Sequence, residues 1–321
     1  MTARRASWLV MLVTTMALCA DFQATGQAQE GAKYLGPKLC TACHRATHAD
    51  VVASWSNSAH ARAMWPIGDE DGKHQVVADF SKNAPFAREQ VAYVLGTGRK
   101  YQSYLDKDLK VLPGEWVVKK QEWRPREPVD AAHDCLGCHT TGLDPETRKW
   151  AALGVSCEMC HGPGSTHAGA KDKKASIVRP EQLDPARRAM ICGQCHAQGK
   201  SKEGCSPFPA GFRPGDDLEQ FFTLATDIPK DAINSQYNEL VQGGGKHLAE
   251  GTVCTTCHDP HGSVNDHPSQ LRQPMNQLCL TESCHGGKLT GPQHSEKALS
   301  SISCGVCHMP GGKHTFVPPK G

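Results

Sequence analysis

One short pattern recurs along this chain and limits what it can become. Two cysteines two residues apart, followed at once by histidine, occur six times: Cys40-Thr-Ala-Cys43-His44, Cys135-Leu-Gly-Cys138-His139, Cys157-Glu-Met-Cys160-His161, Cys192-Gly-Gln-Cys195-His196, Cys254-Thr-Thr-Cys257-His258 and Cys304-Gly-Val-Cys307-His308. This is the attachment signature for c-type haem. The two thiols add across the vinyl groups of one macrocycle, and the adjacent imidazole lies beneath the iron as proximal ligand. Paired cysteines also build zinc knuckles and disulfides, but neither needs a histidine after every second cysteine. With 17 His among 321 residues, chance does not place one there so often.

A seventh copy is altered: Cys279-Leu-Thr-Glu-Ser-Cys284-His285. It keeps the Cys-His adjacency that the iron needs and lengthens only the loop between the sulfurs. Read as a working variant, it brings the expectation to seven covalently attached haems c. These use fourteen of the sixteen cysteines and leave Cys19 and Cys205. The alternatives for this copy are failed attachment or a single thioether through Cys284.

The composition suits a core built by cofactor. Only 38% of residues are hydrophobic and 6% aromatic, with 31 Gly and 21 Pro, a thin supply for an ordinary interior. Porphyrins are large apolar plates that a loop-rich chain can wrap. The expected fold is therefore mostly α with extensive loop and a small β-hairpin module, and without haem the chain should not fold. A formal charge of +2 gives no sign of nucleic-acid binding.

The N-terminus reads as a secretory signal. Arg4 and Arg5 form the charged region, and Trp8 to Leu18 is an apolar stretch too short to span a bilayer comfortably. Cleavage after Ala28 or Ala20 fits. Leu18 occupies the place where a lipid-attachment signal on Cys19 would carry a small residue. No later segment reads as a membrane span, so the mature protein is expected in the periplasm or outside the cell. The uneven spread of motifs divides the chain into a signal at 1–28, an N-terminal part at 29–130, a middle cluster at 131–200 and a C-terminal cluster at 201–321, joined in one haem row. In the first long gap, Thr47 to Ala63 reads as a helix stopped by Pro66. Gln90 to Tyr104 and Trp116 to Trp123 read as strands, with turns at Gly96, Gly98 and Pro113-Gly114. Asp184 and Pro185 read as the start of a helix leading into Cys192, and Asp216-Asp217 as the cap of a short helix through Phe222.

Ten histidines lie outside the motifs, which is a surplus over the seven second ligands required. That matters for function, because a six-coordinate iron passes electrons whereas an open one can bind substrate. Met is the other candidate, but only eight are present, two of them in the signal. The distal candidates are His60, His133, His167, His247, His261, His294 and His314, with His48, His74 and His267 as spares. In His258-Asp-Pro-His261 the chain is too short to pass round the plate, so His261 should serve a neighbouring haem. His133, just before Cys135, should do likewise.

Several segments together resemble a known family: "YLGPKLCTACH…SWSNSAHARA", "HDCLGCHTTG", "VSCEMCHGPGSTHAG", "CTTCHDPHG" and "CGVCHMP". They are similar to bacterial multihaem c-type cytochromes related to cytochrome c554, from about Tyr34 to Pro310. The resemblance implies a multihaem cytochrome c fold with a core of stacked haems. It implies distal ligands at the positions of His60, His167 and His261, and electron transfer between redox proteins as partners. Relatives of that family include hydroxylamine oxidoreductases and tetrathionate or nitrite reductases, and some multihaem cytochromes polymerise. Seven motifs in place of four, and the long second gap, depart from the pattern. Three functions therefore stay open: an electron carrier, a reductase or oxidase of small nitrogen or sulfur oxyanions with one open haem, and a subunit of an extracellular filament. Every motif here ends in His, so the lysine-ligated catalytic haem of pentahaem nitrite reductase is not expected.

Overall fold

The stretch between the first two motifs carries no attachment site, so it must bury its own side chains, and it does so as a sheet. The computed structural model describes residues 31–70, 74–230, 232–243, 245–262, 268–287 and 289–316. The signal reading, Cys19 and His267 lie outside these residues. Helices α1 (Pro37–Thr47) and α2 (Ala49–Asn57) come first. Strands β1 (Met64–Pro66), β2 (Tyr93–Leu95), β3 (Tyr101–Leu105), β4 (Val111–Val117) and β5 (Glu122–Pro125) then form an antiparallel meander in chain order.

Alternation along these strands gives two apolar faces. Met64, Leu95, Leu105 and Val111 pack on one side with Ala131, Ala132, Cys135 and Leu136. Trp65, Val94, Tyr104 and Leu112 pack on the other with Phe86, Phe80 and Trp123. The first face seats the second motif, whose helices are α3 (Ala131–Asp134) and α4 (Leu136–His139). The sheet is larger than the expected hairpin. Residues 64–66 add an edge strand, where Pro66 is tolerated, and the expected 90–104 strand divides at the 96–98 turn. There Gly98 has φ +71°, and a Cβ would lie 2.8 Å from Val77. The helix expected to Ala63 ends at Asn57, because Ser58 is extended (φ −71°, ψ 160°).

The rest of the chain is short elements joined by loop. They are β6 (Thr140–Thr141) paired with β7 (Ala152–Leu153), α5 (Cys157–His161), α6 (Ser165–Gly169) and α7 (Pro185–Gly193). Next come β8 (Gly199–Ser201) paired with β9 (Phe222–Leu224), α8 (Gln236–Gly243), α9 (Lys246–Ala249) and α10 (Cys254–Cys257). Last are α11 (Met275–Cys279), α12 (Glu296–Ser301) and α13 (Cys304–His308). Asp184 caps α7 through Arg187 N. The helix expected from Asp216-Asp217 to Phe222 is one 3-10 turn, Leu218–Gln220, capped by Asp217, after which Phe222 enters β9. A second apolar cluster, with Ala189, Phe212, Phe221, Phe222 and Tyr237, surrounds α7. Beyond Val253 no hydrophobic side chain among the described residues is buried. None of their helices is long and apolar enough to cross a membrane.

The β module should therefore behave as a conventional core. Leu105 is fully buried, and Leu105→Ala should cost about 2–5 kcal/mol, measured as a lowered urea midpoint by far-ultraviolet circular dichroism.

Candidate haem-ligating sites

Each motif turns its cysteines and histidine together through local backbone bonds. His196 N donates to Cys192 O and His258 N to Cys254 O, both at 2.9 Å. The lengthened motif closes in the same way, with His285 N donating to Cys279 O at 3.2 Å. Its additional residues form a bulge, in which Cys284 N and Gly286 N both donate to Thr281 O at 2.9 Å. The insertion is absorbed without disturbing the bond that sets the histidine. All fourteen motif cysteines are free of disulfides. Among the described residues, no group of three or more His, Cys, Asp or Glu gathers as a bare-metal site would require. Neither a disulfide framework nor a zinc knuckle fits.

Six of the seven motif histidines face a second imidazole. His44 lies 6.1 Å from His167 between ring centres, His161 6.3 Å from His261, and His196 6.1 Å from His60. His258 lies 6.0 Å from His314, His285 6.1 Å from His247, and His308 6.1 Å from His294. Two imidazoles on one iron stand roughly 6 Å apart: two metal–nitrogen bonds of about 2 Å plus about 1 Å from each nitrogen to its ring centre. The ring planes are free to rotate about the shared axis. They differ by 15°, 8° and 14° for the first, third and seventh motifs but by 79° for the fourth.

Backbone carbonyls fix five of these twelve rings from behind. The Nδ1–H of His161 donates to Val178 O (2.9 Å), that of His258 to Ser269 O (2.8 Å) and that of His167 to Lys173 O (2.7 Å). His294 donates to Thr290 O (2.9 Å) and His60 to Pro260 O (3.3 Å). A proton held on Nδ1 leaves Nε2 with the lone pair a metal needs. Burial favours that neutral form: His44, His60, His161, His247 and His314 are all pulled below their ordinary value chiefly by desolvation. The His196 ring is accessible along one side yet surrounded by protein, which pushes its pKa down to about 4.

The motifs also touch one another. The side chains of Cys40 and Cys157, Cys138 and Cys195, Cys192 and Cys254, and Cys279 and Cys304 lie beside one another. Gln194, inside the fourth motif, donates to Met159 O of the third at 3.1 Å, and its own carbonyl lies 3.9 Å from Cys138 Sγ of the second. Asn276 links the last two motifs, bonding Cys304 N, Leu299 O and Ile302 O. Sequence reading missed Gln194, Asn276 and the carbonyl acceptors, since nothing in a residue's identity marks its backbone as a partner.

His139 stands apart. Its Nδ1–H donates to Ala63 O at 2.8 Å, and burial lowers its pKa. Among the described residues, however, no imidazole pairs with its ring. His133, a distal candidate, has no facing imidazole among the described residues. The short α3 turns Ala131 and Ala132 into the apolar face beneath the sheet, which leaves His133 exposed. Of the spares, His48 lies 5.4 Å from the already paired His44, and His74 packs 5.3 Å from Trp65. Cys205 is on an exposed turn, with its sulfur 3.6 Å from Glu203 O.

The family model for cytochrome c554 and c-prime matches residues 101–162, and that for a doubled CXXCH motif matches residues 246–290. Multiheme cytochrome MtrA of Shewanella baltica is 26% identical over 195 residues, 52% of this chain and 56% of that protein. Dissimilatory sulfite reductase MccA of Wolinella succinogenes is 23% identical over 359 aligned residues, 87% of this chain and 51% of that protein. The chain thus spans about half the length of these two relatives. The solved structure of outer cell wall cytochrome OcwA superposes with a TM-score of 0.68 at 23% identity, over 88% of this chain and 79% of that one, and so shares its fold. With its repeated attachment motifs and these matches, the chain is similar to the multihaem c-type cytochromes.

Proposed function

We propose that the chain is an exported seven-haem electron carrier in which six irons are held between two imidazoles and the iron of the second motif keeps one face open. The observation that carries this reading is the set of six imidazole pairs at 6.0–6.3 Å. Haem c supplies a one-electron iron couple at each such site. A pair of imidazoles occupies both axial positions and leaves no seat for substrate, which favours electron passage over bond chemistry. The carbonyls behind the rings hold the ligand geometry in both oxidation states. The thiol contacts and Gln194 bring first to third, third to fourth, fourth to fifth and sixth to seventh motif, an order suited to a row. Cys43 and Cys307, in the first and seventh motifs, are exposed, as suits exchange with other redox proteins at either end. All six pairs form within one copy, so none needs a ligand from a second copy in a filament. The N-terminal signal pattern supports export, since thioether attachment is completed outside the cytoplasm.

A second reading is favoured by His139 alone. With no facing imidazole among the described residues, this site suits a small exogenous ligand. The likeness to a dissimilatory sulfite reductase makes a small oxyanion the substrate class if the open face does chemistry. It would draw electrons through the fourth motif, which touches the second at Cys138 and Gln194.

Two measurements test these readings. The intact mass of the exported protein should carry seven haem additions, with the peptide spanning Cys279 and Cys284 modified. A mass with six additions and two free thiols in that peptide rejects the seventh site. Carbon monoxide should bind the reduced protein at one site per chain, and His261→Ala should raise this to two by freeing the iron of the third motif. An unchanged stoichiometry in that variant refutes the His161–His261 pair.

A further inference from the structure

Glu158 lies between the cysteines of the third motif, in Cys157-Glu-Met-Cys160, and only 2% of it is exposed. Among the described residues no cation pairs with its carboxylate. Three backbone amides occupy it instead. Leu35 N donates to Oε1 and Oε2 at 2.8 and 3.1 Å, Gly36 N to Oε2 at 2.7 Å and Gly164 N to Oε1 at 2.8 Å.

These amides stand at the roots of two helices. Gly36 is the N-cap of α1, which carries Cys40, Cys43 and His44. Gly164 is the N-cap of α6, which carries His167. One carboxylate of the third motif therefore grips the bases of both helices that bring His44 and His167 together at 6.1 Å. The grip leaves little space: a Cβ at Gly164 would stand 3.2 Å from Oε1. Cys40 and Cys157 meet in the same region. Burying a carboxylate without a counter-cation is costly, and in a low-dielectric interior its field reaches neighbouring groups with little screening.

We propose that Glu158 is a positioning residue for electron transfer. It fixes both ligand helices of the first motif onto the third, and its negative charge between these two motifs holds both irons at lower potential than they would otherwise have. This rests on the reading that His44–His167 and His161–His261 are axial pairs.

The test is a potentiometric titration of the holoprotein followed by electron paramagnetic resonance, in wild type, Glu158→Gln and Glu158→Asp. Glu158→Gln removes the charge and places an amide against N–H donors. Two of the midpoint potentials should shift upward while the others stay. Glu158→Asp keeps the charge but cannot span the same amides, so both potentials should stay near wild type while the low-spin signal of the first motif broadens. Unchanged potentials in a fully haem-loaded Glu158→Gln protein overturn the proposal, as does a uniform shift of every haem. If Glu158→Gln does not accumulate as holoprotein, an unbroadened signal in Glu158→Asp overturns the clamp. The wild-type spectrum tests the underlying assignment separately: a first or third haem that is not low-spin and six-coordinate defeats the axial pairs, whatever the variants do.

Discussion

Two imidazoles can share an iron only at one separation, and the rest of this structure follows from meeting that distance repeatedly. The partners come from different parts of the chain. His60 meets the fourth motif, His261 the third and His314 the fifth. Each pair is a long-range staple, and closing each loop costs chain entropy that short helices cannot recover by themselves. On the proposed reading, iron–nitrogen bonds and thioethers would supply what the helices lack. This accounts for the C-terminal segment beyond Val253, which holds three motifs and buries no hydrophobic side chain among the described residues. On that reading, ligation there would take the part that apolar packing takes in the β module.

How much was legible in the sequence follows from how local each constraint is. The attachment cysteines and proximal histidines are set by spacing and could be read directly. Six distal histidines could be nominated because small residues or short tethers limited what they could reach. His261 was the clearest case, since its tether to His258 forbids its own iron. For His133 the tether argument left out Ala131 and Ala132, which claim the inner face of α3 and leave His133 exposed. The β module was underestimated because strands as short as β1 and β2 carry too few residues to show alternation, and Pro66 reads as a stop before it reads as an edge. Glu158 passed unnoticed inside its motif, since its partners are amides at Leu35, Gly36 and Gly164, which have no sequence signature.

The turn from His60 to Ala63 ties the unpaired site to the rest. His60 is the imidazole facing His196 of the fourth motif, while Ala63 O accepts from His139 Nδ1 of the second at 2.8 Å. The same carbonyl accepts from Gly96 N at 2.9 Å, at the end of β2, and Val155 N donates to His60 O at 2.9 Å. The orienting group of His139, the motif imidazole with no facing partner among the described residues, is thus anchored to the sheet, which is the most conventionally packed part of the molecule. Rigid elements hold ligand geometry better than loops do, and here the sheet orients His139 from behind. One turn, His60–Ala63, thus carries contacts to both the second and the fourth motif.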